Sequence, residues 1–283
     1  MLFDSHTHSS FSPDADKGTD IEKMAQQAAS SGLDYITITD HCDCNYWLPE
    51  SECDYKEYPK EDSIMFGARD YALLSIEKAL TLKSKYMNLL CGIELGQPLQ
   101  NPQAAERILS CEGLDFVIGS LHMNAHKPDF YYMQYDIMDI SEINALLSDY
   151  FTELLEMCKQ GGFDSLGHLT YPLRYIEGEF GITPDMSAFD DIIRDIFRTL
   201  IENGKAIELN TSGFRQRYGR PFPDEHYLKL YRLLGGELIT IGSDAHRLTD
   251  IGAGLKEGCE LLKECGYRYI TLFKGRKPEN YKL

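Results

Sequence analysis

Six of the chain's eight histidines come at the end of a run of apolar residues, where a predicted strand ends. Imidazole rings and carboxylates are ligands by which proteins hold divalent metal ions. A single histidine at a strand end is usually structural, but several on different strands, together with carboxylates, favour a metal centre. The residues are His6, His8, His41, His122, His168 and His246, with Glu94 and Asp244 in the same relative place on their own strands.

The spacing within two of these pairs strengthens this interpretation. Residues two apart on a strand point to the same face, so His6 and His8 can both reach one ion. Asp244 and His246 repeat that spacing on the last of seven predicted strands. A mixed set of imidazole and carboxylate ligands suits Zn, Mn or Fe better than Mg or Ca. The residue types therefore predict a transition-metal centre.

Short apolar runs alternate with longer helical patterns along the chain. Most runs are continuous rather than alternating, which is typical of parallel strands buried on both faces. Successive strand–helix units favour a parallel barrel or a doubly wound sheet, built as one domain over 1–283. In a barrel, the carboxyl ends of the strands form one face, where distant residues meet. The predicted strands are LFDSH (2–6), DYITITDH (34–41), LLCGIEL (89–95), DFVIGSLH (115–122), FDSLGHL (163–169), AIELNTS (206–212) and LITIGSDAH (238–246).

Helices are predicted between these strands. The first opens with Thr19 and Asp20, residue types that cap a helix start, and stops at Gly32, a good C-terminal cap. A final apolar run at 267–273 is interpreted as an eighth strand or an edge piece. The helical patterns cover 19–31, 65–86, 102–110, 141–160, 185–203, 224–234 and 249–264.

One segment departs from this alternation. Residues 42–63 have no apolar period and contain prolines and many acidic residues. A structureless stretch of this length is usually functional or disordered. Because it follows the second predicted strand, we interpret it as a lid or substrate-selecting loop, with a solvated insertion as the alternative. The two remaining histidines, His126 and His226, lie outside the strand ends and are interpreted as ordinary polar residues.

Composition limits the classes of function. The formal net charge of −17 disfavours nucleic-acid binding, although bound cations would still admit one small anionic substrate. No apolar stretch approaches the roughly 20 residues of a membrane span, and the first residues lack the features of a signal peptide. We therefore expect a cytoplasmic protein without a membrane partner, whose cysteines are free thiols. Cys42 and Cys44, beside His41, are an alternative pair of metal ligands.

Short motifs surround the strand ends: HTHSSFSPDA (6–15), ITDH (38–41), GIE (92–94), GSLH (119–122), GH (167–168) and GSDAH (242–246). Together they resemble the motifs of the polymerase-and-histidinol-phosphatase (PHP) family, in the family's order. Within that family, the chain is most similar to the stand-alone phosphatases that act on L-histidinol phosphate. This resemblance implies a distorted (β/α)7 barrel, similar to a TIM barrel, and the hydrolysis of a small phosphate monoester. The stretches nearest to these phosphatases are GHLTYPLRY (167–175), ELNTSGFR (208–215) and YITLFKGRKP (269–278).

The resemblance also implies a trinuclear centre of two or three occupied sites for Zn, Mn or Fe, with Glu94 bridging two ions. Some relatives have a histidine where this chain has Asp14, and an aspartate can also provide an oxygen ligand. The implied ligands are His6, His8, Glu94 and Asp244 for the first ion, Glu94, His122 and His168 for the second, and Asp14, His41 and His246 for the third.

Hydrolysis of a phosphate monoester is extremely slow without a catalyst. We expect the two ions bridged by Glu94 to activate the attacking water, and the third ion to clamp the phosphate or the leaving oxygen. Asp244 and His246 are further predicted catalytic residues. If the substrate is L-histidinol phosphate, acidic and aromatic residues of 42–63 and of the 126–136 loop are candidates to bind its organic part.

Arginines placed after two of the strands are predicted to bind the phosphate. Arg174 follows the fifth strand and Arg215 follows the sixth, and a guanidinium group matches phosphate through paired hydrogen bonds. Arg217 and Arg220 are alternatives to Arg215, and a surface ion pair is the alternative role for each. Asp40 is predicted either to orient a ligand ring or to cap the loop that follows.

Three other functions compete with this interpretation. The chain could hydrolyse another phosphoester, such as phosphotyrosine, a nucleotide or a nucleic-acid end. It could be an inactive relative, or a metal-dependent hydrolase of C–N bonds. Suitable residue types at every implied ligand position and the placement of the arginines favour an active phosphatase.

Overall fold

The computed structural model describes residues 1–47 and 68–283, and consists of strands that alternate with helices. The strands are β1 (Phe3–Thr7), β2 (Tyr35–Ile38), β3 (His41–Asp43), β4 (Leu89–Gly96), β5 (Phe116–Ser120), β6 (Ser165–Leu166), β7 (Ala206–Asn210), β8 (Ile239–Gly242), β9 (Tyr269–Lys274) and β10 (Lys277–Lys282). The helices are α1 (Ile21–Ser30), α2 (Ala68–Lys83), α3 (Pro102–Leu109), α4 (Ile140–Gln160), α5 (Asp190–Glu202), α6 (Glu225–Leu233) and α7 (Leu255–Glu264).

The parallel sheet curls into a nearly closed barrel. Its strand order is β1-β2-β4-β5-β6-β7-β8, and β3 pairs with β4 just beyond the end of β2. The two ends of the sheet meet where the His8 N–H donates to the Ala245 carbonyl at 2.8 Å and the Asp244 N–H donates to the His6 carbonyl at 2.8 Å. The predicted seven-stranded barrel is therefore confirmed, and the doubly wound alternative is wrong.

The strands are buried on both faces, which explains their continuous apolar patterns. All residues of β4 are buried, because helices cover one side and the barrel interior lies on the other. The covering helices present one apolar stripe, as α5 does with Ile193, Ile196, Phe197 and Leu200. Each such side chain stabilises the fold by about 1.5–3 kcal/mol when fully buried.

Local signals set the helix ends. The Asp20 side chain accepts a hydrogen bond from the Glu22 N–H at the start of α1, as predicted. The pattern at 249–264 gives a shorter helix, because Gly252 and Gly254 have φ angles of +78° and +75°, which no helix residue adopts. That helix, α7, therefore begins only at Leu255.

The run at 267–273 forms an edge piece rather than an eighth barrel strand. It contributes β9, which pairs antiparallel with β10 in a separate two-stranded sheet. Past β9, the Gly275 N–H donates to Asp115 and Arg276 pairs with Asp164. These aspartates precede β5 and β6, so the hairpin lies against the amino end of the barrel and the opposite end carries the site.

The predicted loop at 42–63 begins too early. Residues 41–43 form β3, and Cys44–Trp47 form a turn of 3-10 helix, with Cys42, Asp43 and Cys44 buried. Among these first residues, the buried Asp43 is charged and pairs with His122 just beyond β5, so this part shows no apolar pattern. The rest of the predicted lid, from residue 48 on, lies outside the described residues. None of the helices within 1–47 and 68–283 has the length and hydropathy of a membrane span.

Candidate metal centre

The end of β1 and the end of β8 bring three ligand atoms together. The Nε2 atoms of His6 and His8 lie 3.0 Å apart. Asp244 Oδ1 lies 3.4 Å from His8 Nε2 and 3.8 Å from His6 Nε2. Ligands that each lie about 2 Å from one metal ion are about 3 Å from one another, so these atoms have the spacing of a metal site. Asp244 adopts a φ angle of +53°, unusual for a residue with a side chain.

A second group lies on the neighbouring strands. Glu94 Oε1 is 3.2 Å from His122 Nε2 and 2.9 Å from His168 Nε2, and the two rings place their Nε2 atoms 3.3 Å apart. Oε1 of Glu94 is also 3.5 Å from His6 Nε2, while Oε2 is 3.6 Å from His8 Nε2. Glu94 therefore lies between the first group and the second, as a bridging ligand would.

The third predicted group lies nearer to solvent. Asp14 Oδ2 is 3.4 Å from His41 Nε2 and 3.1 Å from His246 Nε2. Asp14 is 54% exposed at its side chain, whereas the carboxylates of the other groups are buried. The His8 ring lies 4.2 Å from the His41 ring and 4.1 Å from the His246 ring, between centroids, so this group adjoins the first. The structure thus brings all the sequence-predicted ligand residues into one cluster.

Charges of opposite sign are packed closely in this cluster. Burial opposes the charged form of Glu94, but the positive charges of His122, His6 and His41 outweigh it and lower the pKa of this carboxyl well below its usual range. Burial and the charges of His246 and His41 lower the pKa of His8 to about 3. At His122, burial disfavours the charged ring, but the negative charges of Glu94 and Asp43 outweigh this effect and raise the pKa of His122 to about 10.

Four atoms of the cluster's ligand residues are buried but form no hydrogen bond with acceptable geometry, which suits a metal ion. Among the described residues, they are Glu94 Oε2, His246 Nε2, His41 Nδ1 and His168 Nδ1. Leaving such groups unpaired costs roughly 1–3 kcal/mol each, unless another partner is bound. Mixed nitrogen and oxygen donors of this kind suit Zn, Mn or Fe. The residues present therefore fit the predicted type of ion.

A second layer of carboxylates holds the ligand rings, and the sequence interpretation missed two of them. Glu208 Oε1 accepts a hydrogen bond from His6 Nδ1 at 2.7 Å, and its Oε2 accepts one from the His168 N–H at 2.9 Å. Asp43 accepts one from His122 Nδ1 at 3.0 Å. A carboxylate on Nδ1 fixes the tautomer of the ring, so that Nε2 offers its lone pair to a metal ion.

Asp40 acts on the centre through serines. Its carboxylate accepts hydrogen bonds from the hydroxyls of Ser9, Ser12 and Ser75. Because the Ser12 O–H donates to Asp40, the Ser12 oxygen is left to accept hydrogen bonds. It accepts one from His8 Nδ1 at 3.0 Å and one from the backbone N–H of His41 at 3.1 Å. Asp40 therefore orients a ligand ring indirectly, through Ser12.

The predicted phosphate-binding arginines differ in their surroundings. Arg215 donates to the carbonyl oxygens of Ser243 and Asp244 at 2.7 and 2.8 Å, and lies 3.7 Å from Asp250. It thereby stabilises the backbone that carries Asp244, and its contact with substrate stays a prediction. The negative charges of Asp244 and Asp14 act on the guanidinium group of Arg174. This group lies 5.4 Å from the centre of the Tyr175 ring.

The alternative arginines have partners on the surface. Arg217 pairs with Glu179 at 3.3 Å and is 74% exposed, and Arg220 pairs with Glu177. His226 lies 3.8 Å from Asp190 and is likewise on the surface.

The cysteine alternative is not favoured. In the described part of the chain, no cysteine belongs to a group of side chains whose ligand atoms lie close enough together to hold a metal ion. Cys42 and Cys44 are buried free thiols, and burial raises the pKa of the Cys42 thiol well above its usual range. A buried, protonated thiol is a poor metal ligand.

Comparisons with known proteins identify relatives of this chain. The chain is 28% identical to a probable histidinol-phosphatase of Thermotoga maritima, over 100% of both chains. It is 25% identical to a histidinol-phosphatase of Lactococcus lactis, over 99% of this chain and 97% of that one. The structure matches that of the Lactococcus lactis histidinol phosphate phosphatase in complex with Zn, L-histidinol and phosphate, with a TM-score of 0.72, 23% identity and 98% of each chain covered. The PHP domain model matches residues 4–212, and the chain therefore belongs to the PHP family.

Proposed function

We propose that this protein is a metal-dependent phosphatase that hydrolyses L-histidinol phosphate to L-histidinol and inorganic phosphate. The observation that carries the proposal is the position of Glu94, whose carboxylate oxygens lie between two groups of buried histidine nitrogens. The proposed substrate is that of histidinol-phosphatases, because relatives of this kind match the chain over nearly its full length. The negative net charge of −17 supports a small substrate rather than a nucleic acid.

The proposed cofactor is a set of two or three divalent ions, Zn, Mn or Fe. Glu94 would bridge the first two ions, because both of its oxygens face ligand rings. Asp14 lies nearer to solvent, which suits the third site. The proposed ligands are His6, His8, Glu94 and Asp244, then Glu94, His122 and His168, then Asp14, His41 and His246.

The protein's own residues would bind and orient the reacting groups. Bound divalent cations supply a Lewis acid that neutralises phosphate charge and lowers the pKa of the attacking water. Arg174 would hold phosphate oxygens with its forked guanidinium, and Arg215 would do the same or hold the Asp244 backbone in place. Glu208 and Asp43 fix the rings of His6 and His122, so that neither ring turns during the reaction.

Two broader proposals accompany the activity. We infer that the 283 residues form one domain, since barrel strands and the closing hairpin extend from Phe3 to Lys282. The free thiols of the described residues favour a reducing compartment, and we infer the cytoplasm.

A substrate panel tests the proposed function. Phosphate release from L-histidinol phosphate, phosphotyrosine and a nucleoside monophosphate is measured with protein carrying the same metal load. We expect L-histidinol phosphate to have a kcat/KM at least about 100-fold above the others, because substrate-specific polar contacts are worth several kcal/mol. Comparable rates for all three would favour a phosphoesterase of another specificity, and no release from any would contradict phosphatase activity.

A further inference from the structure

Asp129 is a half-buried carboxylate beside the metal centre that the proposed hydrolysis does not use. It lies between β5 and α4, where its side chain accepts a hydrogen bond from the Tyr131 N–H at 2.8 Å and begins a turn of 3-10 helix. The same turn is tied to the centre, because the Phe130 N–H donates to the carbonyl of His122 at 3.1 Å. Asp129 is therefore held at a fixed place next to a proposed metal ligand.

Among the described residues, the positive charges that act most strongly on Asp129 belong to histidines of the metal cluster. Burial raises the pKa of Asp129 to about 6, and the positive charges of His122 and His41 oppose this only in part. A nearby carboxylate, Asp43, adds to the negative charge. Burying a carboxylate without a cation is costly, so a positively charged ligand would be stabilised at this position.

An aromatic surface leads from the metal centre past this carboxylate to solvent. The Tyr171 ring lies 4.8 Å from the His168 ring, between centroids, and its hydroxyl is 2.9 Å from that of Tyr175. The Tyr175 ring lies 5.9 Å from that of Tyr131, which is 64% exposed. The charge of Asp129 acts on both Tyr171 and Tyr175, so the carboxylate adjoins this surface.

We propose that Asp129 binds the primary ammonium group of the substrate, while the rings of Tyr131 and Tyr175 contact its imidazole ring. In L-histidinol phosphate, the ammonium group is on the carbon next to the one that carries the ester oxygen. Its partner must therefore lie close to the phosphate, as a residue beside His122 does. A planar ring attached further along would lie against the aromatic surface. This inference rests on the proposed function and adds the residues that select the substrate.

The test removes the negative charge of Asp129 in a variant and the positive charge of the ammonium group in a substrate analogue. Asp129→Asn keeps the shape and the helix-capping group but loses the negative charge. Its kinetics are measured with L-histidinol phosphate and with 3-(imidazol-4-yl)propyl phosphate, which lacks the ammonium group. We expect kcat/KM for L-histidinol phosphate to fall roughly 10- to 100-fold, mainly through KM, and to fall at least tenfold less for the analogue. Asp149→Asn, at an exposed position of α4 outside the 126–136 segment, is the matched control and should match the wild type with both esters.

The contrary outcomes are distinct. An equal loss with both esters would mean that Asp129 supports the fold or the metal site, and would overturn the inference, as would no loss with either ester. If the wild type fails to hydrolyse L-histidinol phosphate, the proposed function fails by itself. The inference is then decided by calorimetric titration of free L-histidinol into the metal-loaded proteins. Weaker binding to Asp129→Asn than to the wild type supports it, and equal or absent binding to both overturns it.

Discussion

Replacing Glu94 with glutamine is expected to lower kcat/KM by about 1000-fold, because it removes the charge that two proposed metal ions share. The carboxylate lies within 3.6 Å of ring nitrogens of both groups, from His6 and His8 and from His122 and His168. The amide has nearly the same shape, so the loss reflects charge and coordination rather than packing. The measurement is phosphate release together with metal content after gel filtration.

Glu112→Gln is the matched control for this change. Glu112 is exposed in the turn before β5 and lies outside the cluster, so the variant should retain wild-type activity and metal content. A Glu94→Gln protein that keeps both its ions and its activity would show that Glu94 does not bridge them. A folded variant with fewer ions and a large loss of activity is the expected result.

Replacing Arg174 with alanine is expected to lower kcat/KM by about 100-fold, since paired hydrogen bonds to a charged group contribute up to about 3 kcal/mol. The negative charges of Asp244 and Asp14, two proposed metal ligands, act on its guanidinium group. Unlike Glu94, it is no proposed ligand, so the ions should remain bound. The measurements are kcat, KM and inhibition by inorganic phosphate.

Two further variants give this experiment its controls. Arg174→Lys keeps the charge but loses the fork of parallel donors, so it should recover only part of the lost activity. Arg198→Ala removes an exposed arginine of α5 that pairs with Asp195, and should behave like the wild type. Unchanged KM and unchanged inhibition by phosphate in Arg174→Ala would exclude the proposed contact.

The strand-end ligands could be predicted because strand geometry is simple. Residues two apart on a strand share a face, so the spacing predicts that His6 lies beside His8 and Asp244 beside His246. The second pair lies past the end of β8, where Asp244 has a φ angle of +53°, so strand geometry alone does not explain why those two side chains meet. In the structure, the nitrogens of the first pair lie 3.0 Å apart, and the ring nitrogen of His246 lies 3.4 Å from the Asp244 carboxylate. The continuous apolar runs likewise predicted parallel strands, which the barrel confirms.

The supporting carboxylates were harder to predict because their partners are distant in the sequence. Asp43 pairs with His122, 79 residues later, and β3 is too short and too polar to give a strand pattern. A Cβ atom at Gly96 would lie 1.9 Å from an oxygen of Asp43, so this contact depends on a glycine of the neighbouring strand β4. Glu208 could have been predicted, because it is an acidic residue that directly follows apolar residues of β7 and shares a strand face with Asn210.

Arg215 illustrates a different limit of the sequence. Its position after β7 places it on the catalytic face, but a guanidinium group can donate to backbone carbonyls as well as to phosphate. The barrel closes so that the carbonyls of Ser243 and Asp244 lie within 2.8 Å of this arginine. Only the three-dimensional packing of β7 against β8 reveals that competition.

The most direct measurement is the metal content of the purified protein, read together with phosphate release from L-histidinol phosphate before chelation, after chelation and after Zn or Mn is restored. Two or three ions per chain are expected, with activity lost when they are removed and regained when they return. Full activity in protein that holds no ions, or a protein that binds none at any stage, would contradict a metal centre at the strand ends.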